Sequence, residues 1–229
     1  MYIDKVWIDD ILSQFPFDRV AISCFSDAWV SDVIYPSDIE ARLKCKITNG
    51  ASKMVIIPQE PSPFVIKIPF YGYWTIESEF TPFTKARYIK SHCEGWDYCK
   101  AEMEIWAAAA QQGLEQFFCP GIYYKNYQDF PIYIYERANL DFPATWKEDV
   151  KFVEDFCWQH GLDTRLDCNK AFLAQVIRSQ STETVLKLID FLKSYSITDL
   201  HQCNLGFNRR RSPIILDYGG FYEGEDEIP

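Results

Sequence analysis

Long apolar runs, paired cysteines, histidine clusters and an excess of positive charge are all missing from this chain. No stretch approaches the roughly 18 consecutive apolar residues needed to cross a bilayer. The first residues, Met1 to Leu12, hold Asp4, Asp9 and Asp10 instead of an apolar core, which predicts no secretory signal. The 8 cysteines include no Cys-x-x-Cys pair, which argues against a zinc ribbon or a thioredoxin-like motif. Scattered thiols without an export signal point to a reducing cytoplasm, with buried cysteine acting as a small hydrophobe. His92, His160 and His201 show no metal-ligand spacing. With 23 Lys and Arg against 33 Asp and Glu, the net charge of -10 repels nucleic acid. Neither internal repeats nor low-complexity segments occur. The reading is a cytoplasmic protein with no nucleic-acid and no membrane partner.

What is present is material for a core. Of the 229 residues, 48% are hydrophobic and 17% aromatic, enough for one domain or two small lobes. Ile8, Ile11, Leu12 and Phe15 lie at helical spacing, predicting a short helix that stops before Pro16. Val20 to Tyr35 is aromatic and β-branched and reads as one or two strands. Strand-like stretches then follow at Leu43–Ile47, Met54–Ile57 and Phe64–Ile68, with a turn at Asn49-Gly50-Ala51-Ser52. They read as a three-stranded antiparallel meander, and Lys67 is a charge set inside an apolar strand. Beyond an irregular aromatic stretch, 69–94, a long helix is expected over about 96–118. It stops at Cys119-Pro120-Gly121, and strands follow near 122–124 and 132–136. Helices are expected at 144–160, 170–179 and from Ser181, where Val185, Leu188, Ile189 and Leu192 share a face. A final hairpin pairs 205–208 with 214–216 across Arg209-Arg210-Arg211-Ser212. The fold class is α+β, in two lobes, 1–138 and 139–229.

The most informative stretch is Asp199-Leu200-His201-Gln202-Cys203-Asn204, placed between an amphipathic helix and the final hairpin, whose second strand runs Ile214-Ile215-Leu216-Asp217-Tyr218-Gly219. Singly, Asp199 and Asn204 read as turn formers and Asp217 as the end of a strand. Together and in this order they resemble the catalytic loop and metal-binding motif of the protein-kinase-like superfamily. The resemblance is nearest to the aminoglycoside and choline phosphotransferases and to short phage and bacterial relatives. It implies a two-lobed kinase-like fold: an antiparallel-sheet N-lobe with one long helix, and a shortened, mainly helical C-lobe.

The chemistry suits these residue types. Phosphoryl transfer is chiefly positioning and charge neutralisation, and Mg²⁺ prefers carboxylate and amide oxygens. By resemblance Asp199 is the catalytic base, Asn204 and Asp217 hold Mg²⁺, and Lys67 contacts the ATP phosphates while pairing with a helix glutamate. Glu102 shares a face with Ile105, Trp106 and Ala109 and is preferred to Glu104 for that partner. Gly50 and Ser52 stand where a phosphate-covering loop belongs, although the loop has one glycine where the family has three. The stretch from Glu136 to Ala138 takes the position of the hinge whose backbone meets adenine. His201 is read as bracing the loop by hydrogen bonding.

The resemblance has departures. Ile197-Thr198 precede Asp199 where protein kinases carry His-Arg. Too little sequence follows Asp217 for an activation segment or the later C-lobe helices, so the acceptor platform is expected elsewhere. A second copy would cover the apolar surface that such a shortened lobe leaves. The function expected is an ATP- and Mg²⁺-dependent phosphotransferase acting on a hydroxyl of a small molecule or protein. The alternatives are a catalytically idle pseudokinase that serves as a nucleotide-binding or regulatory module, and nucleotidyl transfer on the same scaffold.

Overall fold

The computed structural model describes residues 5–15, 36–49, 53–59, 62–69, 72–75, 87–90, 97–127, 130–163 and 168–219. The strands expected between Val20 and Tyr35 lie outside them. By its packing the chain divides into two compact units, Met1–Cys99 with Gly121–Arg137, and Lys100–Pro120 with Ala138–Pro229.

The first unit is built on a five-stranded antiparallel sheet. Its strands are β1 (Cys45–Asn49), β2 (Lys53–Pro58), β3 (Phe64–Pro69), β6 (Gly121–Tyr127) and β7 (Phe130–Glu136), in the order β1-β2-β3-β7-β6. A separate two-stranded sheet pairs β4 (Gly72–Thr75) with β5 (Arg87–Lys90). Period-two alternation sorts the large sheet into two chemically different faces. Met54, Ile56, Phe64, Ile66, Ile68, Ile132 and Ile134 stand on one of them. There they form a core with Ile8, Ile11, Leu12 and Phe15, contributed by helix α1 (Lys5–Gln14) and the residue after it. The expected apolar stripe of α1 is therefore the one it buries. Tyr124 and Lys125 of β6 also hold α1 through Asp9, at 3.0 and 2.7 Å. Helix α2 (Pro36–Leu43) leads into β1. It was not anticipated, although Pro36 at its first position is a recognised start signal.

Helix α3 spans Tyr98–Gln111, shorter than the 96–118 expected, and from Lys100 on it belongs to the second unit. Gly113, at φ +70°, ends it in a Schellman arrangement: its amide meets the carbonyl of Ala110 at 3.2 Å, and that of Leu114 meets Ala109 at 2.8 Å. A single 3-10 turn, Glu115–Phe117, follows. Helices α4 (Lys147–Gln159), α5 (Lys170–Ser179) and α6 (Thr182–Ser194) lie where the periodicity placed them. Asn169 and Ser181 cap α5 and α6 through the amides of Phe172 and Thr184. The hairpin of β8 (Leu205–Phe207) and β9 (Pro213–Ile215) closes this unit.

The sequence divided the chain once, 1–138 from 139–229, with the long helix in the first part. The structure instead groups Lys100–Pro120 with the C-terminal residues. The reason is visible in its packing. Phe118 lies 5.1 Å from the ring of Tyr218 and 5.5 Å from that of Phe191. The Cys119 amide donates to the carbonyl of Ile215 at 2.8 Å, and the Tyr218 hydroxyl donates to that of Cys119 at 2.7 Å. No described helix is long and apolar enough to cross a membrane.

Candidate functional site

Helix α6 leads into the Asp199–Asn204 loop through a tightly specified exit. Ser196 takes the left-handed conformation (φ 51°), its amide bonds to Lys193 at 3.1 Å, and the Ile197 amide bonds to Leu192 at 2.9 Å. Ile197 and Leu200 are buried and anchor the loop, leaving the intervening Asp199 side chain half-exposed. His201 then braces the turn, its Nδ1 accepting the Cys203 amide at 3.2 Å while Nε2 lies 3.7 Å from Asp199 Oδ1. Gln202 ties the loop to the residues after β7 by donating to the Phe142 carbonyl at 2.6 Å.

Asn204 joins three parts of this arrangement. Its Nδ2 donates to the Asp199 carbonyl at 2.8 Å and to Asp199 Oδ2 at 3.3 Å. Both partners are acceptors, so the amide orientation follows from chemistry, and Asn204 Oδ1 is the atom directed away from Asp199. The main-chain carbonyl of Asn204 accepts the Leu216 amide at 2.8 Å, extending the β8–β9 ladder by one step. Asp217 follows directly. Asp199, Asn204 and Asp217 thus gather at the open end of the hairpin.

Glu102 belongs to the same neighbourhood. It is fully buried on α3, and its Oε1 accepts the amide of Tyr218 at 3.3 Å, immediately after Asp217. Glu104 is exposed and faces Lys100 at 3.7 Å instead. The face on which Glu102 was placed, with Ile105 and Ala109, is the buried one. For a hard divalent cation, an Asn204 amide oxygen and the Asp217 carboxylate are chemically suitable oxygens, and Asp217 directly follows Leu216, the residue whose amide the Asn204 carbonyl accepts. Among the described residues no group of three or more His, Cys, Asp or Glu could hold a metal.

Lys67 sits in the first unit, on the central strand of the sheet rather than at an edge, and is only 7% exposed. It pairs with Val55 on one side and Tyr133 on the other, on the face opposite the apolar core. Its Nζ lies 4.0 Å from the centre of the Tyr135 ring. Glu136 ends β7 opposite Phe64, and the next amide, of Arg137, bonds to Pro63 at 3.0 Å. Ala138 begins the second unit. Gly50 and Ser52 lie outside the described residues. The structure therefore gathers Glu102, Asp199, Asn204 and Asp217 in one unit and carries Lys67 and Glu136 in the other.

Three further polar groups beside these residues had no role in the sequence reading. Lys53, the first residue of β2, is 3% exposed. Asp97 accepts a hydrogen bond from the buried Tyr133 hydroxyl. The Tyr218 amide is the donor that Glu102 meets. Only Lys53 carried a signal, because alternation with Met54 and Ile56 sets it on the face away from the core. No family model matches the chain, and no curated protein or solved structure matches it either.

Proposed function

We propose that this protein is an ATP- and Mg²⁺-dependent phosphotransferase of protein-kinase-like, two-lobed fold, moving a phosphoryl group to a hydroxyl of a small molecule or a protein. One observation carries the reading: Asn204 binds the Asp199 side chain with its amide and Leu216 with its carbonyl, next to Asp217. Turn formers and a strand terminator of no further use would not need this shared bonding. Two other features support it. Lys67 is buried on the third strand of its sheet, the strand that bears the phosphate-contacting lysine in protein kinases. Glu102 is the buried acid on the long helix.

In this reading Asp199 orients the acceptor hydroxyl and takes its proton as the oxygen attacks the γ-phosphorus. The bond from that phosphorus to ADP breaks in the same displacement, and ADP carries away the bonding pair. Asn204 holds Asp199 by one carboxylate oxygen, leaving the other for the proton. Mg²⁺, held by Asn204 and Asp217, would neutralise phosphate charge. Lys67 would contact the phosphates, with Glu102 as the acid assigned to it.

Purified protein with Mg-ATP and a panel of hydroxyl acceptors should release ADP in an acceptor-dependent manner. Asp199→Asn should lower that rate by roughly 10²- to 10⁴-fold while Mg-ATP binding persists. Full activity in the variant would remove Asp199 from the mechanism. Mg-ATP binding without turnover on any acceptor would replace the enzyme with a nucleotide-binding regulatory module.

A further inference from the structure

Asp199 and His201 stand two residues apart on the loop after α6, and their side chains face each other across a gap. His201 Nε2 lies 3.7 Å from Asp199 Oδ1, beyond hydrogen-bond range. Among the described residues neither atom makes a hydrogen bond elsewhere. The two side chains are 54% and 43% exposed, so a dissolved molecule can reach the space between them.

Both groups are nevertheless held in place from behind. The Cys203 amide donates to His201 Nδ1 at 3.2 Å. A backbone amide only donates, so Nδ1 offers its lone pair and the ring carries its hydrogen on Nε2. Asn204 Nδ2 donates to the other Asp199 oxygen, Oδ2, at 3.3 Å. A fixed donor, Nε2–H, therefore faces a fixed acceptor, Oδ1. An exposed pair at this separation adds little stability, so folding alone does not account for the arrangement. A polar separation above about 3.5 Å has room for a bridging atom, and one oxygen at about 2.8 Å from each group spans this gap. That oxygen must accept from Nε2–H and donate to Oδ1, which a neutral hydroxyl does. A carbonyl oxygen cannot donate, and an ammonium has no lone pair with which to accept.

Resting on the proposed phosphotransferase reading, we infer that His201 is an acceptor-binding residue: with Asp199 it clasps the acceptor hydroxyl, and the pair selects a neutral alcohol over an ammonium group. In the transfer the hydroxyl proton passes to Oδ1. One lone pair of the hydroxyl oxygen keeps the bond from Nε2–H, and the other attacks the γ-phosphorus as ADP leaves with the bonding pair. His201 retains its own proton throughout.

Asparagine and glutamine divide the two ends of the imidazole between them. The asparagine side-chain oxygen takes the place of Nδ1 and keeps the Cys203 turn, whereas the glutamine amide reaches the place of Nε2. ADP release by the full chain is followed with Mg-ATP and, as acceptors, water, choline and a seryl peptide. His201→Asn should lower the acceptor-dependent rate by about 3- to 10-fold, the worth of one hydrogen bond. The KM for Mg-ATP and the melting temperature should stay at their wild-type values. His201→Gln should recover most of the lost rate, and a peptide with an ammonium group in place of the seryl hydroxyl should be inert. Unchanged acceptor kinetics in His201→Asn, or transfer to the ammonium peptide as fast as to the seryl one, overturns the inference and leaves the phosphotransferase reading standing. A fall in the melting temperature of His201→Asn that accompanies its loss of rate overturns it too, and reduces His201 to a brace for the turn. A wild-type chain that transfers phosphate to none of the three acceptors removes the phosphotransferase reading and this inference together.

Discussion

Glu102 and Glu104 differ by two positions and by nearly everything that determines what a carboxylate does. Glu102 is fully buried and satisfies the Tyr218 amide, whereas Glu104 faces solvent and an i−4 lysine at 3.7 Å. Lysine placed N-terminal to glutamate is the less favourable orientation of such a helical pair, and exposed pairs contribute little. Replacing Glu102 by alanine strands a buried amide and should cost about 1–3 kcal/mol. Glu104→Ala should cost under about 0.5 kcal/mol. Urea unfolding of the two variants decides the matter, and equal losses would contradict the roles given to them. Helical spacing was enough to tell the buried glutamate from the exposed one, because the face shared with Ile105 and Ala109 is the one that packs. The Tyr218 amide as the bonding partner was not visible, since 116 residues separate it from Glu102.

At the scale of elements, caps and stripes were readable and terminations were not. Asn169 and Ser181 mark the starts of α5 and α6, and the apolar stripe of α6 is buried as Val185, Leu188, Ile189 and Leu192. The end of α3 was overrun. Its alanine-rich run has high helix propensity, but Gly113 at positive φ lets the chain turn seven residues before Pro120 does. Strands β4 and β5 within 69–94 were read as irregular, because a four-residue strand has too few alternations to register. The β8–β9 hairpin was legible, yet its tolerance to change is a matter of space. A methyl group at Gly206 would come within 2.8 Å of the Asn139 carbonyl, main chain that is itself bridged to Phe207. Gly206→Ala should therefore destabilise the second unit by about 1–3 kcal/mol. A variant that melts with the wild type would show that the two segments are not held this closely.

Across the whole molecule, the cysteines behave as the composition suggested where they are described. Cys45, Cys99, Cys119 and Cys157 are buried, Cys168 is half-buried and Cys203 exposed. Burial, with the nearby Glu40 charge adding to it, pushes the Cys45 thiol from 9.0 to about 11, and burial raises Cys157 as well. The folded state thus keeps Cys45 protonated where an unfolded chain would ionise it. The resulting stabilisation is complete below about pH 9 and disappears as pH climbs through about 11. Folding stability should fall between these limits by on the order of 1 kcal/mol per pH unit, a slope that Cys45→Val should reduce. At pH 8 a thiol reagent should modify Cys203 well before Cys45, as read by peptide mapping. Cys45 reacting as fast as Cys203 would refute its placement in the core.

By itself the sequence determined local facts: the three C-terminal helices, the strands of the large sheet, and which face of α1 and α6 is apolar. These depend on side-chain periodicity and capping chemistry within a few residues. The tertiary structure decided what depends on distant partners. It placed Lys67 on a central strand, grouped α3 with the C-terminal helices, and gave the Tyr218 amide to Glu102. Strand order, register and long-range hydrogen bonds bring together residues that no local pattern connects, because packing and pairing are satisfied only once the whole chain has collapsed.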